Sequence, residues 1–193
     1  MRSRTAAAAA IAVLALAGCS TGHDAAANAT EIAFAQAMIP HHEQAVQMAE
    51  LALAADSSAS NQVQELAREI KAAQDPEVEQ MAGWLQEWGA PTQMPGASGA
   101  AGMDDMDHGG HDMGAMTMSG MMTAQDMAEL AASDGEQFDR MWLTMMIQHH
   151  EGAVDMAEQV EDASADTEVT ALAEQIIAAQ QQEITTMQQL LAQ

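Results

Sequence analysis

A single cysteine, no tyrosine and only five basic residues in a chain of 193 remove several possibilities at once. One thiol cannot close an internal disulfide, so stability must come from packing. Aromatic residues make up 3% of the chain, and no β-branched residues alternate with polar ones over any length, which argues against strands. The abundance of Ala, Gln, Glu, Leu and Met points to helices instead. Five basic against 29 acidic residues give a formal charge of −24. Such a surface repels nucleic acid and anionic lipid headgroups and attracts cations. There is no Glu-x-x-His, so the helix-borne ligand pattern of a di-iron oxidase is missing. No serine sits in a recognisable nucleophile elbow. An enzyme of unknown reaction, with Glu77 or Glu183 as acid or base, is therefore a secondary expectation.

Long apolar runs are also scarce. The one near the start is short of the about 20 residues that a membrane span needs. Arg2 and Arg4 precede it, and it ends in Leu16-Ala17-Gly18-Cys19, which resembles the lipobox of bacterial lipoprotein signal peptides. This predicts a leader over 1–18, lipidation of Cys19, a polar tether over 19–29, and a protein outside the cytoplasm held to the membrane by its lipid. Losing the leader leaves 3 basic against 29 acidic residues. It also leaves no free thiol, so any soft ligand must be methionine sulfur.

What is present is a duplication. Met38-Ile-Pro-His41-His42-Glu43-Gln-Ala45-Val46-Gln-Met48-Ala49-Glu50 recurs as Met146-Ile-Gln-His149-His150-Glu151-Gly-Ala153-Val154-Asp-Met156-Ala157-Glu158. A second segment follows each copy: Val63, Leu66, Ile70, Gln74, Glu77 and Met81 match Val169, Leu172, Ile176, Gln180, Glu183 and Met187. The apolar positions keep a helical period, which places His41 and His149 inside the apolar stripe, His42 and His150 at its edge, and Glu43 and Glu151 opposite. One helix pair cannot bury both of its stripes, whereas two related pairs can close on each other. The prediction is all-α: a four-helix bundle of two duplicated helix-turn-helix units, 30–88 and 123–193, with a short helix from Thr123 to Ala132. Gln74, Gln180, Glu77 and Glu183 form a polar layer in its core.

Four of the seven histidines lie in the duplicated motifs. With Met38, Met48, Met146 and Met156 nearby on the same helices, His41, His42, His149 and His150 are candidate metal ligands. Adjacent helical residues diverge by about 100°, so a site needs both units or a methionine one turn away. The competing reading is a structural or interaction bundle whose histidines are satisfied by Gln74, Gln180 or the backbone.

Between the units, 89–122 reads as Gly, Pro, Ala, Asp, Met and His with almost no aliphatic residue, a flexible linker. Ordinary tethers are not built from methionine, and this one carries Met103, Met106, Met113, Met116 and Met118 beside His108 and His111. Thioethers with imidazoles suit Cu(I), which the linker is expected to favour; the oxidation state held in the core stays open. Metal ions, and a copper-handling protein downstream, are the expected partners.

The tandem His-His-x-x-Ala-Val-x-Met-Ala motif, with Gln, Glu and Met on the following helix, resembles the bacterial domain-of-unknown-function family three-zero-five, DUF305. The resemblance covers about 30–88 and 122–191. It implies a ferritin-like, extracytoplasmic helical bundle, with copper binding in some members and no settled reaction. Its signature positions fall on Met38, His41, His42, Ala45, Met48, Gln74, Glu77 and Met81, and on Met146, His149, His150, Ala153, Met156, Gln180, Glu183 and Met187.

Overall fold

The computed structural model describes residues 27–92 and 119–193. They form five helices: α1 (Ala29–Leu53), α2 (Asn61–Glu87), α3 (Ala124–Ala132), α4 (Gly135–Ala163) and α5 (Thr167–Leu191). The helix starts follow local chemistry. Asn28 caps α1 and Thr123 caps α3, each in a reciprocal box with the acidic residue three positions on, Glu31 and Asp126. Ser60 caps α2 and Asp166 caps α5 through side-chain oxygens. The turn at 54–60 has its counterpart in the shorter turn at 164–166, where α4 runs further before the chain reverses.

Helices α1 and α2 pack as one pair, α4 and α5 as another, and α1 lies against α4 between them. The core divides into two apolar clusters. In one, Phe34 and Met38 of α1 meet Met81 and Leu85 of α2, Met156 and Val160 of α4, and Leu172 and Ile176 of α5. In the other, Met48 and Ala49 of α1 meet Leu66 and Ile70 of α2, Trp142 and Met146 of α4, Met187 of α5 and Leu130 of α3. The first half of α1 thus shares a cluster with the last half of α4, so these two helices run antiparallel. Alanines at 35, 45, 49, 52, 153 and 157 are fully buried and allow the backbones to approach closely. The expected four-helix bundle is present, and its two central helices carry the histidines at mid-length, between the clusters. Trp142, fully buried, donates from Nε1 to the Met48 carbonyl at 2.8 Å and locks α4 to α1.

Residues 119–122, the end of the expected linker, are packed rather than free. Met122 is buried, and its backbone pairs with the Gln44 side chain in both directions, at 2.7 and 2.8 Å. The composition of this stretch suggests a tether, but backbone hydrogen bonding needs no aliphatic side chain.

Candidate metal centre

All four motif histidines are buried, with His41 at 2% exposure and His42 at 0%, His149 at 1% and His150 at 0%. The stripe edge predicted for His42 and His150 is therefore as dry as its middle. The ring of His41 meets that of His149 across the α1–α4 interface, with centroids 3.8 Å apart and planes tilted by 42°. An ion bound at ~2 Å from one nitrogen of each ring would hold the centroids further apart. The two rings stand as imidazoles in close, tilted contact, and one must turn before both can ligate the same ion.

Each unit then repeats one contact. Nε2 of His42 lies 2.8 Å from Glu77 Oε2, and Nε2 of His150 lies 2.8 Å from Glu183 Oε2. The histidines sit on the central helices and the glutamates on the outer ones, with side chains 18% and 17% exposed, so each carboxylate reaches from the core to the rim. His41 Nε2 donates instead to the Ser119 carbonyl at 3.1 Å. Carboxylate and carbonyl oxygens accept, so in these three rings a proton resides on Nε2. Their Nδ1 atoms are buried and have no partner. Neither ring nitrogen of His149 reaches a partner in hydrogen-bond geometry, although the nearby His41 backbone offsets its burial slightly.

Burial is the main reason that the His41 and His149 rings stay neutral. It pushes His41 down to about 3, with the neighbouring His42 adding to the effect. It pushes His149 well below the ordinary range, and His41, His150 and His42 add to that shift.

Gln74 and Gln180 are buried on the outer helices, but they do not serve the imidazoles as the structural alternative expected. Neither amide atom of Gln74 has a partner, and Gln180 Oε1 is also unpaired. The glutamates hold that role. Met38 and Met156 lie in one apolar cluster and Met48 and Met146 in the other, all four buried. Among the described residues, no group of three or more His, Cys, Asp or Glu side chains is arranged to hold a metal. A core ion would therefore draw on imidazole with thioether. Cys19, Met103, Met106, His108, His111, Met113, Met116 and Met118 lie outside the described residues. Within the described residues no helix is long and apolar enough to cross a membrane.

Sequence reasoning missed Ser119 and Gln44. The signal was available in the repeat itself, where Gln44 of the first motif is replaced by Gly152 in the second.

The family model of the domain of unknown function DUF305 matches residues 31–191. The chain belongs to the DUF305 family. A solved DUF305 fragment from Deinococcus radiodurans is 33% identical, with 87% of this chain and 99% of that one covered and a TM-score of 0.72. A DUF305 protein of Streptomyces coelicolor, described as secreted, is 29% identical over 84% of this chain and 92% of its own, with a TM-score of 0.72. CopM in its Cu(II)-bound form is 32% identical over 84% and 95% of the two chains, with a TM-score of 0.64. CopM has also been solved with Cu(I), with silver and in the apo form. No protein of curated function matches the chain.

Proposed function

We propose that this DUF305 protein holds copper outside the cytoplasm, anchored to the membrane through lipidated Cys19, and acts in copper tolerance or delivery. Copper is its cargo. The observation that carries the reading is the set of buried imidazole nitrogens without protein partners: Nδ1 of His41, His42 and His150, and both nitrogens of His149. A borderline or soft cation takes such lone pairs. A carboxylate on the opposite nitrogen, as Glu77 and Glu183 provide, orients a ligating imidazole and raises its basicity. Met38, Met48, Met146 and Met156 add buried thioethers on the same helices. The likeness to CopM, solved with Cu(I), Cu(II) and silver, supports copper as the ion. On this reading Met103, Met106, Met113, Met116 and Met118, with His108 and His111, collect Cu(I), and a copper-handling protein receives it. The secreted relative supports the extracytoplasmic placement.

The close contact of His41 with His149 favours a second reading, in which the buried imidazoles and the two glutamines form a polar layer that sets helix register in an interaction module. Titration of the wild type and of a His41→Ala, His149→Ala double variant against a competing Cu(I) chelator separates the two, with apo melting followed in parallel. The copper reading expects affinity to fall by more than about tenfold in a variant that still folds. Unchanged copper binding with a large loss of apo stability selects the polar layer.

A further inference from the structure

The two motifs match closely, and the core is asymmetric where they differ. Gln44 of α1 stands where α4 has Gly152, and the segment Ser119–Met122 uses both. On one side the Gln44 amide clamps the Met122 backbone, donating to its carbonyl at 2.8 Å and accepting from its N–H at 2.7 Å. On the other side Gly120, at φ +76°, is pressed against α4. A Cβ on Gly120 would stand 2.7 Å from the Gln148 carbonyl oxygen, and one on Gly152 would stand 2.8 Å from the Gly120 Cα and closer still to the Ser119 carbonyl. The segment can lie here because both residues lack a side chain. Its path delivers the Ser119 carbonyl to His41 Nε2 at 3.1 Å. His149, the counterpart of His41, receives no carbonyl from this segment; neither of its ring nitrogens has a partner in hydrogen-bond geometry, and the His41 backbone acts on it only weakly.

A neutral imidazole has one N–H, and the carbonyl claims it on Nε2. The lone pair of His41 is then on Nδ1, which is buried and unpartnered. We propose that Ser119–Met122 is a positioning strap, which holds His41 in the Nε2–H tautomer and offers Nδ1 to the metal while uncommitted His149 turns to complete the site. Of the two rings in contact, His41 is held by a hydrogen bond and His149 by none in good geometry, so His149 is the one that turns to open the pair to an ion. The proposal rests on the copper reading for its ligand, but the tautomer is readable in the metal-free protein.

The test uses the full chain and heteronuclear NMR of the imidazole nitrogens, followed by Cu(I) competition titration. Gly152→Ala expels the strap, Gln44→Ala unclamps it without adding bulk, and Ser119→Ala retains the backbone carbonyl as a control. The expected result is a His41 Nε2–H in the wild type and in Ser119→Ala, and mixed tautomers in the other two. Cu(I) affinity in those two should be weaker by about 10- to 100-fold, with helical content unchanged. A His41 proton on Nδ1 in the wild type overturns the proposal, as does an unchanged tautomer and affinity in Gln44→Ala. Should Gly152→Ala fail to fold, Gln44→Ala decides alone. If the wild type takes up no copper while the tautomers shift as described, the copper reading fails and the strap stands as the element that positions His41.

Discussion

Burying an imidazole without a hydrogen-bond acceptor for each nitrogen penalises its charged form, and this governs how the core responds to acid. His41 is held at about 3 and His149 is lowered in the same direction, whereas both titrate near 6.5 in the unfolded chain. Below that pH the unfolded state binds protons that the native state refuses. Stability from these two groups is therefore fully present above about pH 6.5 and is lost as the pH falls from there toward 3. The melting temperature of metal-free protein should fall across this window, and a His149→Gln variant should show a shallower fall. Equal slopes in the two proteins would mean that His149 charges as readily in the native state as in the unfolded one. The inward placement of the histidines was legible in their spacing. Their partners were not, because a hydrogen bond at 3.1 Å to a residue 78 positions away depends on the path of the chain in three dimensions.

At the scale of elements, the start of α1 is tied to the turn between α4 and α5. Glu31, 3% exposed, accepts from the Asn28 backbone and side chain at 2.9 and 2.7 Å. It also accepts from Ser164 Oγ at 2.8 Å and from the backbone N–H groups of Ala165 and Asp166 at 3.3 and 3.4 Å. Every partner is a donor. Glu31→Gln puts an amide N–H₂ among donors and should cost about 1–3 kcal/mol, read by urea unfolding; a change within a few tenths would mean that the turn finds other acceptors. The sequence placed a polar tether up to residue 29, so this cap was hidden at the boundary. Helix stripes were easier to read, since apolar spacing runs the whole length of a helix whereas a cap occupies one end.

For the whole molecule, the packed strap redraws the boundary between linker and bundle. Excision of 94–118 with a polar spacer should leave the bundle folded and lower the number of Cu(I) ions bound. Extending the cut through Ser119–Met122 should in addition weaken the core site. Equal Cu(I) stoichiometry with and without 94–118 would reduce the methionine run to a tether. Cys19→Ser should move the protein out of the membrane fraction. If the variant remains there at the wild-type level and is processed normally, the lipid anchor is wrong.

The order of residues alone determined that the chain is helical, that its units are duplicated and that the motif histidines face inward. Those properties follow from periodicity, which local backbone geometry converts directly into a face of a helix. Tertiary structure decided which rings meet, that Glu77 and Glu183 rather than the glutamines hold His42 and His150, and that Ser119 breaks the symmetry at His41. Helical spacing sets a side chain's direction only to within a fraction of a turn. Contacts at 3 to 4 Å depend on how the helices rotate and approach as both apolar clusters fill, and on two glycines, Gly120 and Gly152, whose bare backbones let the segment lie directly against α4.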